Sequence, residues 1–178
     1  SVDVTSKYDI TYITGKLEIN KIDISIRSES ASKNYDGTPL TKEGASLVKG
    51  TLLDEDIITT TASSSITNPG VIDNLFSATI YDAHGIDVTN NYKIEYLHGK
   101  LEVNKIEITI SSHSDSKEYD GLPLENHNHS IEKGNLMPGD YIEVAMKNSI
   151  IYPGEIGNEF TAIIYNSEHV DVSKYYDI

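Results

Sequence analysis

The chain contains no cysteine and no tryptophan among its 178 residues. Without cysteine, disulfide bonds, thiolate metal ligands and cysteine nucleophiles are excluded, so the fold must be held by packing and hydrogen bonds. The aromatic residues are mostly tyrosine, with 12 Tyr against 2 Phe. Because a tyrosine hydroxyl needs water or a hydrogen-bond partner, we expect thin hydrophobic cores with solvated edges.

Basic residues are also scarce, since 14 Lys and Arg stand against 28 Asp and Glu and give a formal net charge of -14. An acidic surface is repelled by phosphate, so we expect no nucleic-acid partner and no binding to anionic membranes. No run approaches the roughly 18 apolar residues of a membrane-spanning helix, so no membrane insertion is expected. Ser1-Val2-Asp3 does not begin a signal peptide, and any targeting segment of an exported parent would lie outside this sequence.

The most informative feature present is a repeat with an offset of 84 residues. The segments that recur in register are YDG at 35–37 and 119–121, Pro-Gly at 69–70 and 153–154, and FSATIY at 76–81 with FTAIIY at 160–165. When residues 21–94 are laid over 105–178 without a gap, roughly 33 of the 74 positions are identical, far more than unrelated segments share.

The repeat divides the chain into three parts. Residues 1–20 match the end of a unit and are interpreted as the C-terminal strands of a preceding repeat. Residues 21–104 form a complete unit. Residues 105–178 form a second unit that lacks its last strand, because nothing follows Ile178 to match Glu95–Asn104.

Each unit has the sequence pattern of short β-strands. Residues 22–26 and 106–110 alternate apolar and polar side chains, and the runs at 57–66, 76–81 and 92–97 are rich in Ile, Thr and Tyr between turn residues. We expect the isoleucines at 22, 24, 26, 106, 108 and 110 to form one core face, and Phe, Ala and Ile at 76–80 and 160–164 the other. The fold class predicted is all-β, with two tandem β-sandwiches of 84 residues.

His98-Gly99 predicts a tight β-hairpin between 92–97 and 101–103. Asn104-Lys105 then leads into the next unit without a Gly/Ser spacer, which predicts a stiff, end-to-end joint.

The motifs resemble those of the MBG/YDG-type immunoglobulin-like repeats of bacterial surface and adhesin-like proteins. Residues 32–40 read SKNYDGTPL, residues 116–124 read SKEYDGLPL, and the first unit closes with GKLEV at 99–103. The second unit departs from the pattern, because Asn166-Ser167-Glu168-His169 replaces the acidic turn that begins at Asp82.

This resemblance implies immunoglobulin-like sandwiches on a bacterial cell wall, or secreted, with no catalytic residues. The function expected is that of a stiff, non-catalytic stalk or spacer. The alternative is an adhesive module that binds a host glycan or protein, with tandem units raising the avidity of weak sites. A hydrolase is the least favoured reading.

The Tyr-Asp-Gly motif is the first candidate site. Tyr35 and Tyr119 could stack on a sugar while Asp36 and Asp120 accept its hydrogen bonds. The structural alternative is a turn in which glycine supplies a positive φ and the tyrosine packs at the rim of the sandwich.

Metal sites have weaker support. Asp82 and Asp87 could contribute oxygens to calcium, but the ladder of closely spaced carboxylates that calcium loops use is absent. His127 and His129 could face one way on an extended chain, as zinc or nickel ligands do, yet the first unit has no equivalent. No metal and no cofactor is therefore predicted.

Three further expectations concern the tyrosines, catalysis and the ends of the chain. Tyr8, Tyr92 and Tyr176 occupy equivalent positions that predict a tyrosine corner, in which the hydroxyl bonds back to the backbone. Motifs of common catalytic sites, such as G-x-S-x-G, the P-loop and H-E-x-x-H, are absent, so no enzyme is predicted. Residues 11–20 match the closing segment that the second unit lacks, which predicts head-to-tail self-association with another copy of the chain.

Overall fold

The computed structural model describes all 178 residues, and it confirms an all-β chain. Fourteen strands form six small sheets of two or three strands each, consistent with β-sandwich packing. The only helical segments are three short 3-10 turns, Thr5–Lys7, Thr89–Asn91 and Ser173–Tyr175. None of these three turns has the length or the apolar character of a membrane-spanning helix.

The strands of residues 21–104 are β1 (Ile22–Ser28), β2 (Ala31–Asn34), β3 (Ala45–Lys49), β4 (Ile57–Ala62), β5 (Gly70–Asn74), β6 (Phe76–Tyr81), β7 (Tyr92–Leu97) and β8 (Gly99–Asn104). They form three sheets in the orders β3-β1-β7, β4-β6 and β2-β8-β5. The β1–β7 and β2–β8 pairs are parallel, and the other pairs are antiparallel.

The predicted hairpin at His98-Gly99 is wrong. β7 pairs with β1, whereas β8 pairs with β2 and β5, so the chain passes from one sheet to another and keeps its direction. Gly99 permits the crossing because a Cβ at this position would stand 2.5 Å from the Glu29 carbonyl oxygen. Since its φ is not positive, Gly99 also lacks the geometry of a tight hairpin turn.

Residues 105–178 contain β9 (Ile106–Glu107), β10 (Thr109–Ser112), β11 (His129–Lys133), β12 (Tyr141–Met146), β13 (Phe160–Tyr165) and β14 (Tyr176–Asp177). Their registers repeat those of the first unit at an offset of 84. Ile110 faces Ile131 as Ile26 faces Leu47, and Tyr176 faces Ile106 as Tyr92 faces Ile22. The β12–β13 pair likewise follows the register of β4–β6.

Both units bulge at the same place. The register shifts between Ser25 and Ile26 and again between Thr109 and Ile110. Opposite these shifts, Gly50 and Gly134 have φ near +82°, and a Cβ on either would come within 2.5 Å of a β1 or β9 carbonyl oxygen. Glycine is required at both positions because the two backbones approach too closely for any side chain.

The predicted core faces are confirmed in the first unit. Ile24, Ile26, Ala78 and Ile80 are buried together with Tyr92, and Ile22 and Phe76 pack against them. In the second unit the core consists of the buried residues Ile108, Ile164, Val172 and Tyr176.

Two segments with strand-like sequences form no strand. Residues 8–20 match β7 and β8 but lie exposed, and residues 154–158 match β5 without forming it. A strand needs a hydrogen-bonded neighbour, and no strand lies beside residues 115–118 and 154–158 as β8 lies beside β2 and β5.

Candidate functional site

The two units meet at the Tyr-Asp-Gly turn of the first. The ring of Tyr35 stacks on that of Tyr175, with centroids 4.6 Å apart and planes inclined by 28°. The Met137 methyl group lies 3.8 Å from the position that a Cβ on Gly37 would occupy. The Tyr35 N–H donates to the Asn104 carbonyl at 2.9 Å, which ties the turn to the end of β8. Only Lys105 separates β8 from β9, so this joint has almost no free linker.

The carboxylate of the motif holds the turn together. Asp36 Oδ1 accepts hydrogen bonds from Lys33 Nζ at 2.6 Å, from the Thr38 hydroxyl at 2.7 Å and from the Thr38 N–H at 2.9 Å. The Lys33 ammonium and the Thr38 donors lower the pKa of Asp36 to about 2. Gly37 follows with a φ of +76°. This carboxylate oxygen is therefore engaged inside its own turn.

The same turn in the second unit has no neighbour. Asp120 Oδ1 accepts hydrogen bonds from Lys117 Nζ and the Leu122 N–H, as Asp36 does in its turn, but Tyr119 is 62% exposed. In the first unit, Leu53 occupies the position equivalent to Met137, and it is 56% exposed. Of the four candidate ligand-binding residues, the structure thus places Tyr35 in a joint, Tyr119 in solvent and both aspartates in turns.

Two of the three tyrosines predicted to form a tyrosine corner are buried, and they connect the late strands to the loop that follows the bulge. Their hydroxyls bond residues 36 to 39 positions earlier in the chain, and not the nearby backbone that a tyrosine corner uses. The Tyr92 hydroxyl donates to Asp56 Oδ2 at 2.5 Å and accepts from the Leu53 N–H at 3.0 Å. Tyr176 makes the same bonds to Asp140 and to the Met137 N–H, at 2.5 and 2.9 Å. Burial raises the pKa of both phenols, and the hydrogen bonds to the aspartates add to the effect. Tyr8, the third equivalent, is exposed.

We expect Tyr92→Phe to lower the free energy of unfolding by about 1.5–3 kcal/mol at pH 7, because it removes a hydrogen bond to a carboxylate. The raised pKa means that the folded state favours the neutral phenol. The contribution of this hydrogen-bonded phenol to the free energy of unfolding is complete below the unfolded pKa of about 10. It is lost as the pH rises through the higher pKa of the folded state. Urea unfolding between pH 7 and 11 should therefore show a smaller alkaline loss in the variant. Tyr12→Phe, at an 80% exposed position, should match the unsubstituted chain throughout.

The predicted metal candidates serve other purposes. Asp82 Oδ1 accepts from the N–H groups of His84 and Ile86, and Asn166 makes the equivalent two bonds in the second unit. Since an uncharged amide replaces the carboxylate, this turn depends on an oxygen acceptor and not on charge. Asp87 Oδ1 accepts a hydrogen bond from the N–H of Thr89, the first residue of a 3-10 turn.

The two histidines do not converge on a metal-ligand set. His127 is exposed and lies 3.4 Å from Glu125, while His129 is half-buried in β11. No group of three or more His, Asp or Glu side chains is placed to share a metal ion.

An asparagine that the sequence reasoning missed organises each unit. Asn74 is fully buried, and its Nδ2 donates to the carbonyls of Glu29 and Lys42, both at 2.9 Å. Asn158 bonds the equivalent carbonyls of His113 and Asn126 at 3.0 and 2.9 Å. The signal was present in the repeat, because this asparagine is retained while the residues on either side of it change.

A groove of about 720 Å³ lies on the second unit and is lined mainly by residues 113–119 and 148–158. Residues 115–118 and 154–158 are the equivalents of β2 and β5, the two strands between which β8 lies in the first unit. The groove thus lies at the position that β8 occupies in the first unit.

Comparison of the chain with protein-family models, with curated proteins and with solved structures gives no match.

Proposed function

We propose that the chain is a section of a stiff, non-catalytic stalk built from tandem immunoglobulin-like β-sandwich units of the MBG/YDG type, displayed on a bacterial cell surface. The observation that carries this proposal is the joint, where Tyr35 stacks on Tyr175 and a single residue separates β8 from β9. A tethered binding domain would be held at a distance by such a series of units.

The joint supports stiffness in two ways. The one-residue connection leaves few backbone torsions free, and the stacked rings oppose bending at the side of the joint where the Tyr-Asp-Gly turn lies. The Lys33–Asp36 bonds keep that turn in one conformation, so Tyr35 is presented on a rigid support.

A non-catalytic role is supported by the way the polar side chains are used. The aspartates at 36, 82, 87, 120 and 171 all accept hydrogen bonds from backbone N–H groups of their own turns. The net charge of -14 favours solubility of repeats crowded at a surface.

Tyr35→Ala should loosen the joint without unfolding either unit. With no cysteine in the chain, Thr59→Cys and Glu143→Cys provide one exposed label site in each unit, at equivalent positions. Distances between spin labels there should form one narrow distribution, and Tyr35→Ala should broaden it at least twofold.

Tyr119→Ala is the matched control, because it removes the same side chain from the same turn where no ring contacts it. It should leave the distribution unchanged. A distribution that is already broad before any substitution, or that ignores Tyr35→Ala, would contradict the stalk proposal.

A further inference from the structure

The first two and the last two strands of the first unit lie side by side. β1 pairs with β7 in parallel, with Ile22 opposite Tyr92, and β2 pairs with β8 in parallel, with Asn34 opposite Asn104. In both pairs each residue faces the one 70 positions later in the chain. Although the two pairs belong to different sheets, they are parts of one parallel ladder in a single register, residues 22–34 with 92–104.

The ladder continues through the point where both strands change sheets. There the hydroxyl oxygens of Ser28 and Ser30 accept hydrogen bonds from the consecutive N–H groups of Gly99 and Lys100, at 3.0 and 2.9 Å. These two serines replace the backbone acceptors that a continuous sheet would provide. The first strand is therefore bonded to the last strand at the crossing as well as on either side of it.

Two further hydrogen bonds reinforce the ladder. Ser25 is 3% exposed, and its Oγ donates to Glu95 Oε2 at 2.5 Å, which joins the side chains of β1 and β7. Beyond the last pair of β2 and β8, the Tyr35 N–H donates to the Asn104 carbonyl at 2.9 Å. Backbone and side-chain bonds thus hold the two strands together along the full length of the unit.

The connections of the unit to its neighbours lie at opposite ends of this ladder. Lys21 precedes the first residue of β1, and Lys105 follows the last residue of β8. Because both strands run in the same direction, these two residues are about 40 Å apart for a rise of about 3.3 Å per residue. Tension between neighbouring units would pull the first strand one way along the ladder and the last strand the other way.

We infer that the ladder is a mechanical clamp through which the stalk transmits tension from one unit to the next, an inference that rests on the stalk function proposed above. Under this tension the strands slide along each other, so all bonds of the ladder are loaded together and many must break at once. Residues 35–91 connect the unloaded ends of the two strands. Strands β3, β4, β5 and β6 are therefore loaded only after the ladder fails.

Force spectroscopy on single molecules tests the clamp through the direction of pulling. The chain has no cysteine, so exposed Lys21→Cys and Lys105→Cys can carry handles that load the ladder along its length. Handles on Lys21→Cys and Asn91→Cys lie at the same end, because Ile22 faces Tyr92, and they separate the strands one bond at a time. The first pair should require at least twofold more force at the same pulling rate, since forced unfolding depends on the unfolding rate and not on equilibrium stability.

Ser25→Ala provides a second measurement with the handles at 21 and 105. It removes one bond from the ladder and should raise the unfolding rate at constant force at least threefold. Ser64→Ala is the matched control, because the Ser64 hydroxyl accepts from the Leu75 N–H outside the ladder. It should change the rate less than twofold. Unfolding of the first unit is identified by a gain in length of about 250 Å, from the extended length of its residues.

Equal rupture forces in the two pulling directions would overturn the inference, as would equal unfolding rates for Ser25→Ala and Ser64→Ala. These outcomes differ from failure of the stalk proposal, which concerns the joint between the units and is measured by the label distances. A narrow distance distribution that broadens with Tyr35→Ala would support the stalk whatever the rupture forces are.

Discussion

Ile164→Ala is expected to lower the free energy of unfolding of the second unit by about 2–5 kcal/mol. Ile164 is 0% exposed and lies in β13 against Ile108, Val172 and Tyr176. Truncation removes buried apolar surface and leaves a cavity that the surrounding strands cannot fill. Native-state hydrogen exchange would measure the effect, because it reports the stability of each unit separately.

Ile163→Ala is the matched control, since it makes the same change one residue earlier on the same strand. Ile163 is 41% exposed and points to the opposite face. Its substitution should cost less than about 1 kcal/mol. Equal costs for the two variants would show that the two faces of β13 are wrongly assigned.

Asn74→Ala is expected to destabilise the first unit by roughly 2–4 kcal/mol, because it deprives the Glu29 and Lys42 carbonyls of their donor. The side chain is fully buried, so water cannot replace the amide. Asn74→Asp should be at least as harmful, since a carboxylate offers no N–H to those carbonyls. Urea unfolding followed by tyrosine fluorescence would measure both effects.

Asn158→Ala provides a graded comparison within the same molecule. Asn158 makes the equivalent two bonds but is only half-buried beside the open groove. Water can reach the freed carbonyls there, so we expect a cost of about 1 kcal/mol. A cost at Asn158 as large as that at Asn74 would contradict the role given to burial.

Several features could be predicted from the sequence because they depend on local patterns. Alternating isoleucines placed Ile24, Ile26 and Ile108 in the cores, since side chains on a strand point alternately to its two faces. The recurrence of Tyr92 as Tyr176 indicated a tyrosine with a structural role. Both hydroxyls accept a hydrogen bond from the loop that follows the bulge, from the N–H groups of Leu53 and Met137.

The hairpin at His98-Gly99 failed as a prediction because sequence does not say which strand pairs with which. The pattern of a turn between two strands is the same whether they pair with each other or cross between sheets. The close contact of Gly99 with the Glu29 backbone favours the passage from one sheet to the other, since only glycine can lie so close to that backbone. No metal site was predicted, and Asp82 and Asp87, the weak candidates for calcium, each accept hydrogen bonds from N–H groups of their own turns.

By itself, the sequence determined the repeat of 84 residues, the all-β class and the residues of the core faces, because periodicity and self-similarity are properties of the chain. Only the tertiary structure decided the use of Tyr35 and Asn74 and the position of the groove. Contacts between residues far apart in the chain create these features: Tyr35 meets Tyr175 across the joint, and Asn74 reaches the carbonyl of Glu29. Such contacts depend on strand order, which no local pattern specifies.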